Sequence, residues 1–144
     1  MDLFDTIKKD HEEFKKLFKK LAEKQTRGDY SRLHRDIVAH MTAEERTLYP
    51  ALQETEARQL ALEAVEEHNA AKHELQQIDQ LSFDDEHWLP KFMVMRDLVL
   101  HHIEMEESKV FQHSKKLFDE KKLSTLQKEF SAARKETLAP AGKK

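Results

Sequence analysis

His40-Met41-Thr42-Ala43-Glu44-Glu45-Arg46-Thr47-Leu48-Tyr49 returns later in the chain as His102-Ile103-Glu104-Met105-Glu106-Glu107-Ser108-Lys109-Val110-Phe111. Both follow the pattern H-x3-E-E-x2-[LV]-[YF]. On a helix, positions i and i+4 share one face one turn apart, so each His/Glu pair can point at one target. Upstream, Asp10-His11 and Glu67-His68 correspond more loosely. The chain therefore reads as two copies of a helical hairpin. Each gives one His from its first helix and a His/Glu pair from its second. An H-x3-E spacing alone is a weak signal in a chain this rich in Glu. The duplication and the shared flanks supply the specificity.

Working outward, apolar residues recur at alternating spacings of three and four, the period of a helix buried along one stripe. The first stripe is Leu3, Ile7, His11, Phe14, Phe18 and Leu21. The second is Leu33, Ile37, His40, Glu44 and Leu48, with Pro50 placed to kink its end. The third is Ala61, Val65, His68, Ala71 or Lys72, Leu75 and Ile78. The fourth is Phe92, Met95, Val99, His102, Glu106 and Val110, with Pro90 tolerable in a first turn. Only two Gly and three Pro occur in 144 residues, so turn signals are few. Breaks fall at Thr26–Asp29, Gln53–Arg58, Ser82–Asp85 and Phe118–Ser124. This pattern predicts one all-α domain over residues 1–144. Its core is an antiparallel up-down-up-down four-helix bundle over about residues 2–118. A short C-terminal helix over about residues 122–138, carrying Leu123, Leu126, Phe130 and Ala133, is expected to pack across one end. Ala139–Lys144 reads as a frayed terminus.

The seams are occupied in an unusual way. His11, His40, Glu44, His68, His102 and Glu106 stand where a bundle normally places Leu, Ile or Val. An unpartnered buried carboxylate costs several kcal/mol, and two facing each other need positive charge between them. Metal ions supply it. Depth agrees: at about 1.5 Å per residue, His11, His40 and Glu44 lie roughly 18–25 Å from the Gly28 turn. Counting from the next two turns brings His68 and His102 to the same level. His101 also lies on an apolar stripe, but only His102 has Glu at i+4. His34, His73, His87 and His113 read as surface residues. Glu45 and Glu107, about 100° off the ligand face, read as solvated or as supports behind the ligands, with direct ligation the less favoured alternative. Tyr49 reads as a core residue whose hydroxyl could stand near a bound ligand.

Composition removes several classes. No Cys means no disulfide, thiolate zinc finger, iron–sulfur cluster or cysteine nucleophile. A net charge of −3 gives no basic footprint for nucleic acid. No apolar run is long enough to span a membrane. Met1-Asp2-Leu3-Phe4-Asp5 has neither the basic nor the apolar region of a secretory signal. A cytoplasmic protein is expected, with any protein partner unspecified.

With these residues in place, the sequence resembles the hemerythrin-like (HHE cation-binding) family. The matching elements are Asp10-His11-x2-Phe14, His40-x3-Glu44-Glu45-x2-Leu48-Tyr49-Pro50, Glu67-His68 and His102-x3-Glu106-Glu107-x2-Val110-Phe111. The resemblance implies a non-haem centre of two Fe ions in the bundle. Glu44 and Glu106 would bridge them, with His11 and His40 on one iron and His68 and His102 on the other. Oxygen-carrying members have a second His one turn after the third-helix His. Here Lys72 stands in its place, and His73 points about 140° away from His68. The second iron would then keep an open position for O2, NO or peroxide. Lys72 would either snorkel to solvent or hydrogen-bond a bound oxygen species. Zn, Mn or Ni could occupy the same donors. Three functions follow in order: a di-iron module that binds O2 or NO or senses iron and oxygen; an enzyme that decomposes peroxide or reduces NO; and a structural bundle without functional metal.

Overall fold

The computed structural model describes residues 1–138, and the frayed terminus expected at Ala139–Lys144 lies outside that range. Seven α-helices and one π-helical turn make up the described chain, with no strand among the described residues. The order is α1 (Leu3–Glu23), α2 (Arg27–Arg46), α3 (Leu48–Gln53), α4 (Arg58–Asp79) and α5 (Trp88–Met105). The π turn (Glu106–Val110), α6 (Phe111–Leu117) and α7 (Glu120–Leu138) follow.

Local chemistry sets these limits. The Asp2 side chain caps α1 by accepting from the Asp5 N–H, and Thr26 caps α2 by accepting from the Asp29 N–H. Such caps satisfy amides that a helix start leaves free, each contributing about 1 kcal/mol. The Thr26 cap also draws Gly28 into the first turn of α2, leaving only Lys24–Thr26 to connect the helices. Asp119 does the same for α7, accepting from the Lys122 N–H at 2.8 Å. The helix consequently starts at Glu120, slightly earlier than the apolar pattern suggests.

The second and fourth segments both depart from α geometry close to their Glu, at Thr47 after Glu44 and from Glu106 onward, by different means. Pro50 cannot donate to the Arg46 carbonyl, so α2 stops there and Thr47 adopts φ −126°, ψ −76° before α3 resumes. The Thr47 hydroxyl donates to the Ala43 carbonyl at 2.6 Å and steadies the break. In the fourth segment the chain stays helical, but the Phe111 N–H reaches back to the Glu106 carbonyl, a one-turn π bulge.

The bundle is the ring α1–α2–α4–α5, each helix packed on its two neighbours. Its core falls into two apolar clusters. One holds Phe14, Phe18, Leu21, Leu33, Ile37, Leu75, Ile78, Trp88 and Phe92, with the Trp88 and Phe92 rings stacked at 5.1 Å. The other holds Leu3, Phe4, Ile7, Leu48, Tyr49, Leu52, Ala61, Val110 and Phe111. Along each of the four bundle helices, the ligand-type residues fall between these clusters. On the third stripe the inward residues are Ala64 and Ala71, while Val65 and Lys72 are only partly buried. The 19-residue α7 does not cap an end. It lies lengthwise on α1 and α2, burying Leu126, Phe130 and Ala133 there. No described helix is long and apolar enough to cross a membrane.

Candidate metal centre

His11 from α1, His40 and Glu44 from α2, His68 from α4, His102 from α5 and Glu106 from the π turn meet in this polar layer. All six are buried, at 4% exposure or less. Seam position explains the burial, because each occupies the inward stripe of its helix between two apolar turns. Ligand atoms of His11, His40, Glu44 and Glu106 lie within 4.8 Å of one another. Those of Glu44, His68 and His102 form a second such group.

Every imidazole is oriented from behind by a carboxylate. Nδ1 of His11 donates to Glu107 at 2.7 Å, that of His40 to Asp10 at 2.7 Å, that of His68 to Glu45 at 2.7 Å, and that of His102 to Glu67 at 2.6 Å. These bonds follow the repeat. The acid preceding the first-helix His holds the second-helix His of its own hairpin. The acid following the Glu holds the first-helix His of the other hairpin. Fixing Nδ1–H leaves each Nε2 free to face the centre, the usual arrangement behind metal-bound histidine.

What the Nε2 atoms meet decides the chemistry. His11 Nε2 and Glu106 Oε1 lie 3.1 Å apart, and His40 Nε2 and Glu44 Oε2 3.4 Å apart. None of these four buried atoms makes a hydrogen bond. Buried polar atoms almost always find a partner, so four orphans facing one another mark a place built for something else. A cation bound by two imidazole nitrogens and two carboxylate oxygens satisfies all four. On the other side, His68 Nε2 and His102 Nε2 lie 3.0 Å apart, and His68 Nε2 stands 3.1 Å from Glu44 Oε1. The Tyr49 hydroxyl lies among them, 3.1 Å from Glu44 Oε1 and 3.3 and 3.2 Å from the two Nε2 atoms, and donates to Glu106 Oε2.

Without a cation, protons balance the carboxylates. Burial alone lowers the His40 imidazole, but the Glu44 charge and the bond to Asp10 outweigh it and lift the pKa to about 10. His102 is likewise pulled down by burial and lifted to about 10 by Glu106 and Glu67. Burial pushes the Glu106 carboxyl up, yet its close contacts with Glu44, His102 and His11 hold it well below the usual range. Burial, with the charges of Glu106 and Glu44, keeps the Tyr49 phenol protonated far above its ordinary range.

A model of the hemerythrin HHE cation-binding domain matches residues 2–113. The chain belongs to that family. As an HHE domain it is a cation-binding fold, and the polar layer is the part of it able to hold cations. A crystal structure of a hemerythrin HHE cation-binding domain-containing protein from Mycobacterium kansasii superposes with a TM-score of 0.84 over 96% of this chain and 88% of that one. At 17% identity, that likeness speaks for the fold. A protein described as a DNA nickase, from Nostoc sp. (strain PCC 7120 / SAG 25.82 / UTEX 2576), is 25% identical over 138 residues. The match covers 93% of this HHE chain but 39% of that relative.

Within this HHE domain, the six residues expected from the sequence lie together at one level. His101 is exposed while its neighbour His102 is buried. His73, His87 and His113 are exposed, and partly exposed His34 pairs with Asp79 at 3.2 Å. Glu45 and Glu107 are the supports behind His68 and His11. The supporting roles of Asp10 and Glu67 were visible only as motif letters, since the acid preceding each His serves a different His across the hairpin. Lys72 does not face the centre: partly exposed, it turns sideways and its ammonium grips both oxygens of Glu45 at 3.0 and 2.8 Å. Burial pushes the Glu45 carboxyl up, and its bonds to His68 and Lys72 pull it below the usual range.

Proposed function

We propose that this domain is a non-haem di-iron protein that binds O2 or NO, or reports iron and oxygen status through such binding. In this reading His11 and His40 would hold one ion and His68 and His102 the other, with Glu44 and Glu106 available to both. The observation that carries it is the set of four buried atoms without hydrogen bonds: His11 Nε2, His40 Nε2, Glu44 Oε2 and Glu106 Oε1. A structural role for core histidines would account for the Nδ1 bonds but leaves these four atoms unexplained. Mixed imidazole and carboxylate donors suit iron, with zinc or manganese as substitutes, and the cation-binding family supports that choice.

When bound, a ferrous pair supplies two electrons and an open coordination position. The chain's own residues do the rest. Four carboxylates fix the imidazole rings, and the two apolar clusters exclude water above and below. Tyr49 holds its phenol proton within 3.3 Å of His68 Nε2 and His102 Nε2, beside the donors that would hold the second ion. That proton also favours a second reading, an enzyme decomposing peroxide or reducing NO, because either reaction needs a proton delivered to the oxygen that leaves as water.

Anaerobic Fe2+ loading followed by elemental analysis and absorption spectroscopy tests the proposal. About two irons per chain, with oxo-to-iron charge-transfer bands on exposure to air, are expected. A protein that takes up no iron overturns it. Turnover of many peroxide molecules per site, abolished in His68→Ala, would favour the enzyme over the carrier or sensor.

A further inference from the structure

The family match ends at residue 113, and α7 begins at Glu120, yet α7 delivers two side chains to the polar layer. The Phe130 ring lies edge-on to the His40 ring, centroids 5.5 Å apart. Beside it, Arg134 Nη1 donates to Asp10 Oδ1 at 2.5 Å. The other oxygen of Asp10 accepts from His40 Nδ1. A guanidinium on α7, a carboxylate on α1 and an imidazole on α2 thus form one chain of hydrogen bonds, and its far end is the unpartnered His40 Nε2. The equivalent acid of the second hairpin, Glu67, pairs with no Lys or Arg among the described residues, nor does Glu107 behind His11.

Resting on the metal-binding reading above, we propose that Arg134 is a positioning residue for the first ion. By occupying one oxygen of Asp10 it fixes the other against His40, and the His40 ring is thereby aimed at the ion. The docking of α7 is in consequence linked to occupancy of the first ion position. Partners behind a ligating histidine typically change metal affinity by about 10- to 100-fold. Linkage is reciprocal: if docked α7 tightens metal binding, bound metal tightens the docking of α7 by the same factor.

Anaerobic Fe2+ titration against a chromophoric chelator, with hydrogen exchange of the α7 amides in metal-free and Fe2+-loaded protein, tests this. In the unsubstituted chain, Fe2+ slows exchange across α7. Arg134→Ala weakens one of the two ions by about 10-fold, leaves the other unchanged, and removes the metal-induced slowing. Asp10→Asn does the same, and adding Arg134→Ala to it weakens binding no further, because both act through one chain. Lys135→Ala, which removes a neighbouring exposed charge, behaves as the unsubstituted protein. A merely structural Arg134 would loosen α7 but add its loss in full to that of Asp10→Asn. Additive losses therefore overturn the proposal, as does an Arg134→Ala protein with unchanged affinity and unchanged protection. Absence of Fe2+ binding in the unsubstituted chain brings down the metal reading and this proposal together, whereas normal binding with a silent Arg134 overturns only the proposal.

Discussion

The first hairpin (α1–α2) and the second (α4–α5) carry the same ligand types in the same order, but their surroundings have diverged. After Glu44 the chain breaks at Thr47, and α3 turns Tyr49 inward so that its hydroxyl stands beside His68 and His102 of the other hairpin. After Glu106 the chain runs through a π turn, and the matching Phe111 packs against Phe4 at 4.9 Å, with no polar group to offer. The first hairpin's histidines instead face rings: Phe14 and Phe130 stand edge-on to His40 at 5.3 and 5.5 Å. Both copies of the repeat carry the donors that hold charge. Their neighbours differ, leaving one half of the layer hydrocarbon-walled and the other supplied with a hydroxyl proton.

The largest effect is expected from removing a group that both halves share. Glu44 contacts His40 on one side and His68 on the other. Glu44→Ala is therefore expected to lower iron content toward zero, whereas His40→Ala should leave about one ion. A ligand present at a thousand times its Kd stabilises the fold by about 4 kcal/mol. The loaded protein should accordingly melt on the order of 10 °C above the metal-free form, and Glu44→Ala should lose nearly all of that gain. A Glu44→Ala protein that gains as much as the unsubstituted one would remove Glu44 from the centre.

Next in size is the pH response, which bound metal should largely cancel. His40 and His102 are raised to about 10 in the metal-free fold, one in each hairpin. Their contribution is complete below the ordinary histidine pKa near 6.5 and is lost as pH rises toward 10. The slope is at most about 1.4 kcal/mol per pH unit for each group. Glu106, held low, contributes above the ordinary Glu pKa and loses that contribution as pH falls toward its lowered value. Metal-free stability, followed by urea melts, should thus decline between pH 6.5 and 10. Metal binding displaces the same protons, so the melting gain from iron should grow over that window. His40→Gln should flatten the metal-free decline by about half.

A smaller effect separates the two aromatic positions. Tyr49→Phe leaves Glu106 without its phenol donor, and metal-free stability should fall by about 1–3 kcal/mol. It should also speed release of NO from the iron-loaded protein, read by stopped-flow absorbance. The reciprocal Phe111→Tyr places a hydroxyl in an apolar cluster beside Phe4 and should cost a similar amount without altering NO release. Equal NO kinetics in the two variants would erase the difference between the halves.

The bundle and the six inward residues were legible because helical period and burial are local properties. An apolar stripe marks a His as a candidate for the interior, and the Glu at i+4 separates buried His102 from exposed His101, whose stripe is also apolar. The supports were less legible, since Asp10, Glu67, Glu45 and Glu107 lie off the stripe and act across helices. Only the packing of the helices reveals that Glu45 serves His68 of the other hairpin and Asp10 serves His40 of its own. The place of Tyr49 depends on the backbone break that Pro50 imposes, and proline signals a break without saying where the next side chain will point. The lengthwise lie of α7 was hidden for a similar reason: Leu126, Phe130 and Ala133 give it an apolar face but not a docking partner.

Lys72 provides the finest distinction. It stands one turn after His68, where oxygen-carrying relatives place a second ligand, yet it reaches sideways to Glu45 and is itself about 30% exposed. An ion pair so open to solvent contributes less than about 1 kcal/mol. Glu45 also keeps its bond to His68 when the ammonium is removed. Lys72→Met is therefore expected to leave melting temperature and iron content nearly unchanged, and to weaken the second ion less than Arg134→Ala weakens the first. The asymmetry has a geometric cause: Arg134 ties α7 to Asp10 on α1, whereas Lys72 joins two helices already packed in the bundle. If Lys72→Met instead changed NO release as strongly as Tyr49→Phe while stability held, the lysine would be facing bound ligand in the loaded protein. Two polar side chains, rather than one, would then face the donors of the second half of the layer.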